Sequence, residues 1–193
     1  MNKTHGEFEI SAIVPVGSRQ TNPGELFREY RGALDRTGQS FEIVFVLDGP
    51  QPKFYAGLRE LLDAGEQFTV VGLSRSFGES TALMAGLEHS TGRVILTLPA
   101  YHQVDCTELH LLLSELGSND MLVARRWPRR GNPLERVRRA SFHALLSSVT
   151  GVHFRDLGCG VRCFSREVLV SLYSDRIWKC HVNLRDGCLC CSV

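Results

Sequence analysis

The chain has 193 residues, 43% of them hydrophobic and 22% charged, with 22 Lys+Arg against 21 Asp+Glu. That composition suits one globular domain with a real core, and it excludes a low-complexity or fibrous chain. No run of eighteen apolar residues is present, so no membrane span is expected, and the opening "MNKTHGEFEI" lacks a secretory pattern, so a cytoplasmic compartment is expected.

"EISAIVPV" reads as a first strand. "TNPGELFREYRGALDRT" follows as a helix with Asn22 as its cap, Pro23 in the first turn and Glu25 completing a capping box. Leu26, Phe27, Tyr30, Ala33 and Leu34 share its core face. "FEIVFVLDG" is nearly continuous in apolar residues, the pattern of a strand covered on both faces. A helix over Pro52 to Ala64 and a third strand, "FTVVGL", come next. "SFGESTALMAGLEHS" predicts a helix capped by Ser76 with Glu79 three residues on. "VILTL" is a fourth strand, and Asp105 with Glu108 marks another helix start, stopped by Gly117. "DMLVAR" is a fifth strand, and "NPLERVRRASFHALLSSVTG" repeats the Asn-Pro-x-Glu helix start. Strands alternate with helices, which predicts a three-layer α/β/α sandwich around a mainly parallel sheet, as one domain over residues 1–178.

Two features stand outside this pattern. Residues 1–120 carry a net charge of −7 and residues 121–193 a net charge of +8, and seven arginines (Arg125, Arg126, Arg129, Arg130, Arg136, Arg138 and Arg139) face a single Glu135 in one fifteen-residue window. Such a window is either a solvated basic surface or a site for phosphates or an anionic membrane. Residues 179–193 hold four of the seven cysteines without clear period. Their spacing is not that of a usual zinc site, so an altered or truncated C-terminus is the expected reading of this tail.

In an open α/β sheet, ligands bind outside the carboxyl ends of the strands. Those ends here are Pro15 to Arg19, Asp48-Gly49-Pro50, Ser74 to Gly78, Pro99 to Asp105 and Arg125-Arg126. No G-x-G-x-x-G or P-loop motif is present. The segments "SAIVPV", "EIVFVLDGP", "LSRSFGESTALMAGLEHSTGRVILTL" and "TGVHFRDLGCGVRCFSREVL" together resemble family 2 glycosyltransferases of the GT-A fold. The branch they most resemble contains dolichyl-phosphate mannose synthase and bacterial polyprenyl-phosphate sugar transferases.

The resemblance implies a nucleotide-sugar donor and a lipid-phosphate or glycan acceptor, possible contact with a membrane surface, and no nucleic-acid partner. Oligomeric state is not legible. It implies nucleotide-sugar contacts from Pro15, Asp48, Gly49, Arg75, Phe77, Gly78, Pro99, Tyr101 and Gln103. It implies catalytic roles for Asp156 and Arg162, in the segment lining the family's cleft, with Asp156 as base or orienter and Arg162 as a phosphate contact, and it places Arg125, Arg138 and Arg139 in the segment bordering the acceptor. The family's usual cofactor is Mg or Mn held by an Asp-x-Asp motif, which in register falls on Pro99-Ala100-Tyr101, so its ligands are missing. Gly17-Ser18-Arg19 also departs from the family pattern, as do Leu47 and Glu79. Each candidate has a plainer reading. Asp48 is then a turn residue, Phe77 core, Asp156 and Arg162 a local ion pair, and Tyr101 and His102 packing rather than substitutes for a metal. A catalytically silent domain that binds a nucleotide-sugar or a partner is the alternative function.

Overall fold

The computed structural model describes residues 8–102, 105–117, 119, 121–124 and 160–168. Its strands are β1 (Ile10–Val16), β2 (Phe41–Leu47), β3 (Thr69–Gly72), β4 (Val94–Thr97), β5 (Met121–Val123) and β6 (Arg162–Ser165). Its α-helices are α1 (Pro23–Asp35), α2 (Pro52–Asp63), α3 (Glu79–Glu88) and α4 (Leu109–Leu116). Among the described residues the sheet has six strands in the order β3-β2-β1-β4-β6-β5. β1, β2, β3 and β4 pair in parallel, and β6 runs antiparallel to both β4 and β5. The mainly parallel expectation holds, with one reversed strand inserted.

Period-two alternation splits the core into two layers of side chains. Ala12, Val14, Val16, Phe45, Leu47, Leu96 and Cys163 face α1, α2 and α4. Ile13, Val44, Val46, Ile95 and Phe164 face α3. Both faces of β1, β2 and β4 are therefore covered, which is why they read as continuous apolar runs. Phe45 sits at the centre of an aromatic group, its ring centroid 6.0 Å from Phe54 of α2 and 5.5 Å from Phe68.

Local signals set most helix ends. Asn22 Oδ1 accepts from Gly24 N at 2.9 Å and Glu25 N at 3.1 Å, as its cap position requires. Three expectations are corrected. α3 starts at Glu79 rather than after Ser76, because the Ser76 hydroxyl is drawn to a carboxylate described below. The segment after Asp105 opens as a 3-10 turn, Cys106–Glu108, before α4 begins. β6 was not anticipated as a strand, since its four residues pair with elements far away in sequence. Arg166 secures its far end, with Nε donating to Gly92 O at 2.5 Å and Nη2 to Ser90 Oγ at 2.8 Å. The predicted helix over 132–151 and the tail 179–193 lie outside the described residues.

Candidate functional site

β1 leads to β2 and β3 on one side, and the chain then crosses to place β4 on the other. The strand order therefore reverses between β1 and β4, where an open α/β sheet forms a crevice. A cleft of about 350 Å³ opens there. Pro15, Gly17, Ser18 and Arg19 line it from the end of β1, Asp48 from the end of β2, and Glu79 from the start of α3. Pro99, Ala100 and Tyr101 line it from the end of β4, and Gly160 and Arg162 from the beginning of β6. Because β6 is reversed, its first residue lies beside the last of β4, with Thr97 paired to Arg162.

Asp48 was expected to offer its carboxylate to a ligand. The structure gives both oxygens partners within the chain. The Ser76 hydroxyl donates to Oδ2 at 2.7 Å, Phe77 N–H to Oδ1 at 2.7 Å and Gly78 N–H to Oδ2 at 3.0 Å. Burial works against ionisation here, but the Phe77 N–H, the Ser76 hydroxyl and the Gly78 N–H outweigh it and hold the carboxyl below its ordinary range. Asp48 thus ties the loop between β3 and α3 to the end of β2. Gly49 shares that task. Its φ is +85°, and a Cβ there would sit 2.8 Å from Ser76 N. Phe77 is 46% exposed and so is not core. Arg75 lies over its ring, with Cζ 4.8 Å from the centroid.

The end of β4 is fastened through its backbone. Leu98 N–H donates to Ile13 O at 2.9 Å, the buried Tyr30 hydroxyl to Pro99 O at 2.5 Å, and Thr21 N–H to Ala100 O at 2.9 Å. The Tyr101 ring carries the Arg19 guanidinium, with Cζ 4.0 Å from the centroid. His102 turns to α1, its Nδ1 2.6 Å from Glu29 Oε2. On the other side of β4, Thr97 Oγ1 donates to Gly160 O at 2.8 Å. Arg162 Nε is buried and has no hydrogen-bond partner among the described residues.

The structure therefore brings Pro15, Asp48, Pro99, Tyr101 and Arg162 to one cleft, with Arg75, Phe77 and Gly78 in the loop that Asp48 organises and Gly49 packed against that loop from the end of β2. Gln103, Arg125, Arg138, Arg139 and Asp156 lie outside the described residues. Arg19 was read as a strand-end residue that departs from the family pattern, and was not named as a ligand contact. The available signal was its place three residues past a strand end.

The model of glycosyl transferase family 2 matches residues 11–172. The chain belongs to that family. An undecaprenyl-phosphate 4-deoxy-4-formamido-L-arabinose transferase of Shewanella sediminis is 31% identical over 176 residues, which is 89% of this chain and 51% of that protein. The protein of the same name from Enterobacter sp. (strain 638) is 28% identical over 183 residues, or 94% and 54%. The chain spans about half the length of the curated relatives it matches. Among solved structures, glucosyl-3-phosphoglycerate synthase from Mycobacterium tuberculosis in complex with phosphoglyceric acid aligns with a TM-score of 0.63 at 16% identity, covering 86% of this chain and 59% of that one. A mannosyltransferase from Pyrobaculum calidifontis in complex with GDP-Man and Mn2+ aligns with a TM-score of 0.59 at 17% identity, covering 86% and 46%. These likenesses establish the GT-A fold.

Among the described residues, the end of β4 does not offer the carboxylates that would hold a divalent cation. Pro99-Ala100-Tyr101 contains no carboxylate, and an unionised tyrosine is a poor ligand for a hard cation. Asp105 Oδ1 is committed to Thr107, accepting from its N at 2.9 Å and its Oγ1 at 2.6 Å, and Asp105 does not line the cleft. Among the described residues the lining carboxylates are Asp48, engaged by its loop, and Glu79. Among the described residues, no group of three His, Cys, Asp or Glu is placed to hold a metal.

Proposed function

We propose that this family 2 domain binds a nucleotide-sugar in the cleft at the β1–β4 switch point, and that the sugar is transferred to a lipid-phosphate or glycan acceptor. The observation that carries this reading is the cleft itself. The ends of β1, β2 and β4 and the start of β6 converge there on one concave surface with cationic side chains. The loop from Arg75 to Gly78, ordered by Asp48, is suited to border the nucleoside, with the exposed Phe77 ring as an apolar wall. Arg162 offers a guanidinium for the diphosphate.

In the reaction, the bond from the anomeric carbon to the nucleotide's distal phosphate breaks and a bond to the acceptor oxygen forms. A phosphate acceptor is already anionic at neutral pH, so cationic neutralisation matters more there than a general base. Arg125, Arg138 and Arg139 are assigned to that acceptor and Asp156 to orientation. The same basic segment would draw the protein to an anionic membrane face. No helix among the described residues is long and apolar enough to cross a membrane.

Thermal protection by a panel of UDP- and GDP-sugars tests donor binding, and radiolabelled transfer to undecaprenyl phosphate tests the reaction. No protection by any nucleotide at millimolar concentration would sink the reading. A second reading is a silent domain that binds the donor without transfer, favoured by the carboxylate-free end of β4. It predicts protection with neither transfer nor hydrolysis.

A further inference from the structure

β4 lies between β1 and β6 in the sheet. The loop after β1 therefore brings Arg19 to one side of the β4 end, and the first residue of β6 brings Arg162 to the other. Both line the cleft, with Pro99 and Tyr101 between them. Tyr101 stands at the position where the family presents a metal-binding carboxylate, and its ring lies against the Arg19 guanidinium at 4.0 Å. An arginine stacked face-on to an aromatic ring keeps its in-plane N–H groups available as donors. Arg19 makes no ion pair among the described residues, and Arg162 Nε is buried without an acceptor. Among the described lining residues the two arginines stand with two carboxylates, Glu79 and Asp48, and the Asp48 oxygens are taken up by donors of its own loop.

We infer that Arg19, held on the Tyr101 ring, and Arg162 form a metal-independent clamp for the diphosphate of a nucleoside diphosphate. The inference rests on the nucleotide-sugar reading above and adds how the charge is met. On this account the substitution at position 101 does more than remove a ligand. It supplies the platform for a fixed cation where a bound one would otherwise sit. Guanidinium forks match phosphate oxygens in pairs, so the clamp favours a diphosphate over a monophosphate.

Calorimetry with UDP, GDP, UMP, GMP and inorganic pyrophosphate, in EDTA and then with added Mn2+, tests this on the intact chain. The expected result is diphosphate binding in EDTA, changed little by Mn2+. Arg19→Ala is expected to weaken it by roughly 10- to 100-fold, with a smaller loss for the monophosphate. Arg19 is exposed, so the variant's melting curve should overlay that of the unaltered chain. Tyr101→Ala should weaken diphosphate binding as well, and Tyr101→Phe, which keeps the ring, should restore most of the loss. Binding that requires Mn2+, or undiminished diphosphate binding by both Arg19→Ala and Tyr101→Ala, overturns the clamp and leaves the nucleotide-sugar reading standing. Failure of every nucleotide to bind, with or without Mn2+, overturns both.

Discussion

Replacing Asp48 with alanine should loosen the loop between β3 and α3 and lower stability by about 2 kcal/mol. The carboxylate accepts from the Ser76 hydroxyl and from the Phe77 and Gly78 N–H groups, at 2.7, 2.7 and 3.0 Å. Hydrogen bonds to a charged partner contribute roughly 1.5–3 kcal/mol each when both ends are dry. Here Ser76, Phe77 and Gly78 are exposed, so water takes up the freed donors and most of that sum is recovered. For a chain of this size a loss of about 2 kcal/mol lowers Tm by roughly 4–8 °C. Circular-dichroism melts of Asp48→Ala, Ser76→Ala and the double variant measure it. The pair should couple by about 1 kcal/mol, because the hydroxyl's partner is gone in the first variant. The pH dependence has a definite sign. The folded pKa of Asp48 lies below its unfolded value, so its contribution is complete well above about 3.9 and fades as pH falls through the lower folded value. The Tm gap between unaltered chain and variant should be flat from neutral pH down to about pH 5 and close in stronger acid. Nucleotide affinity separates two roles. If Asp48 acts through the loop, Ser76→Ala should weaken UDP or GDP binding in the same direction as Asp48→Ala. An Asp48→Ala Tm within a degree of the unaltered chain, or no coupling to Ser76, refutes the loop argument.

Other substitutions test neighbouring parts of the same frame. Gly49→Ala forces a side chain onto a backbone at φ +85° and within 2.8 Å of Ser76 N, and should cost about 2–4 kcal/mol in urea unfolding. Gly86→Ala puts a Cβ 2.3 Å from Ile13 Cγ2, where α3 crosses β1, so it should destabilise by about 1–3 kcal/mol despite alanine's better helix propensity. A Gly86→Ala variant at least as stable as the unaltered chain would show that α3 can shift without loss. Pro99→Asp combined with Tyr101→Asp should make nucleotide binding Mn2+-dependent and remove the ring beneath Arg19. Calorimetry with and without Mn2+ checks this, and unchanged metal-independent binding by the double variant would contradict the placement of the family motif at the β4 end.

Much of the fold was legible because its signals are local. The apolar runs of β1, β2 and β4, the amphipathic face of α1 and the Asn22 cap depend on residues within one element, and each formed where it was read. Part of the site was legible for the same reason, since the ends of parallel strands converge at a predictable edge of the sheet. Tertiary structure decided the rest where long-range partners outcompeted local ones. Ser76 satisfies the local rule for a helix cap, but a buried carboxylate 28 residues earlier in the chain is the stronger acceptor, so the helix begins later, at Glu79. The four residues of β6 carry too short a pattern to announce a strand. They become one by pairing antiparallel with β4 on one side and β5 on the other, which satisfies the backbone groups of all three. Arg19 and Tyr101 are far apart in sequence, and nothing in the sequence pairs them. Strand order places the two strand ends side by side, and only that adjacency turns an arginine and a tyrosine into one cationic wall of the cleft.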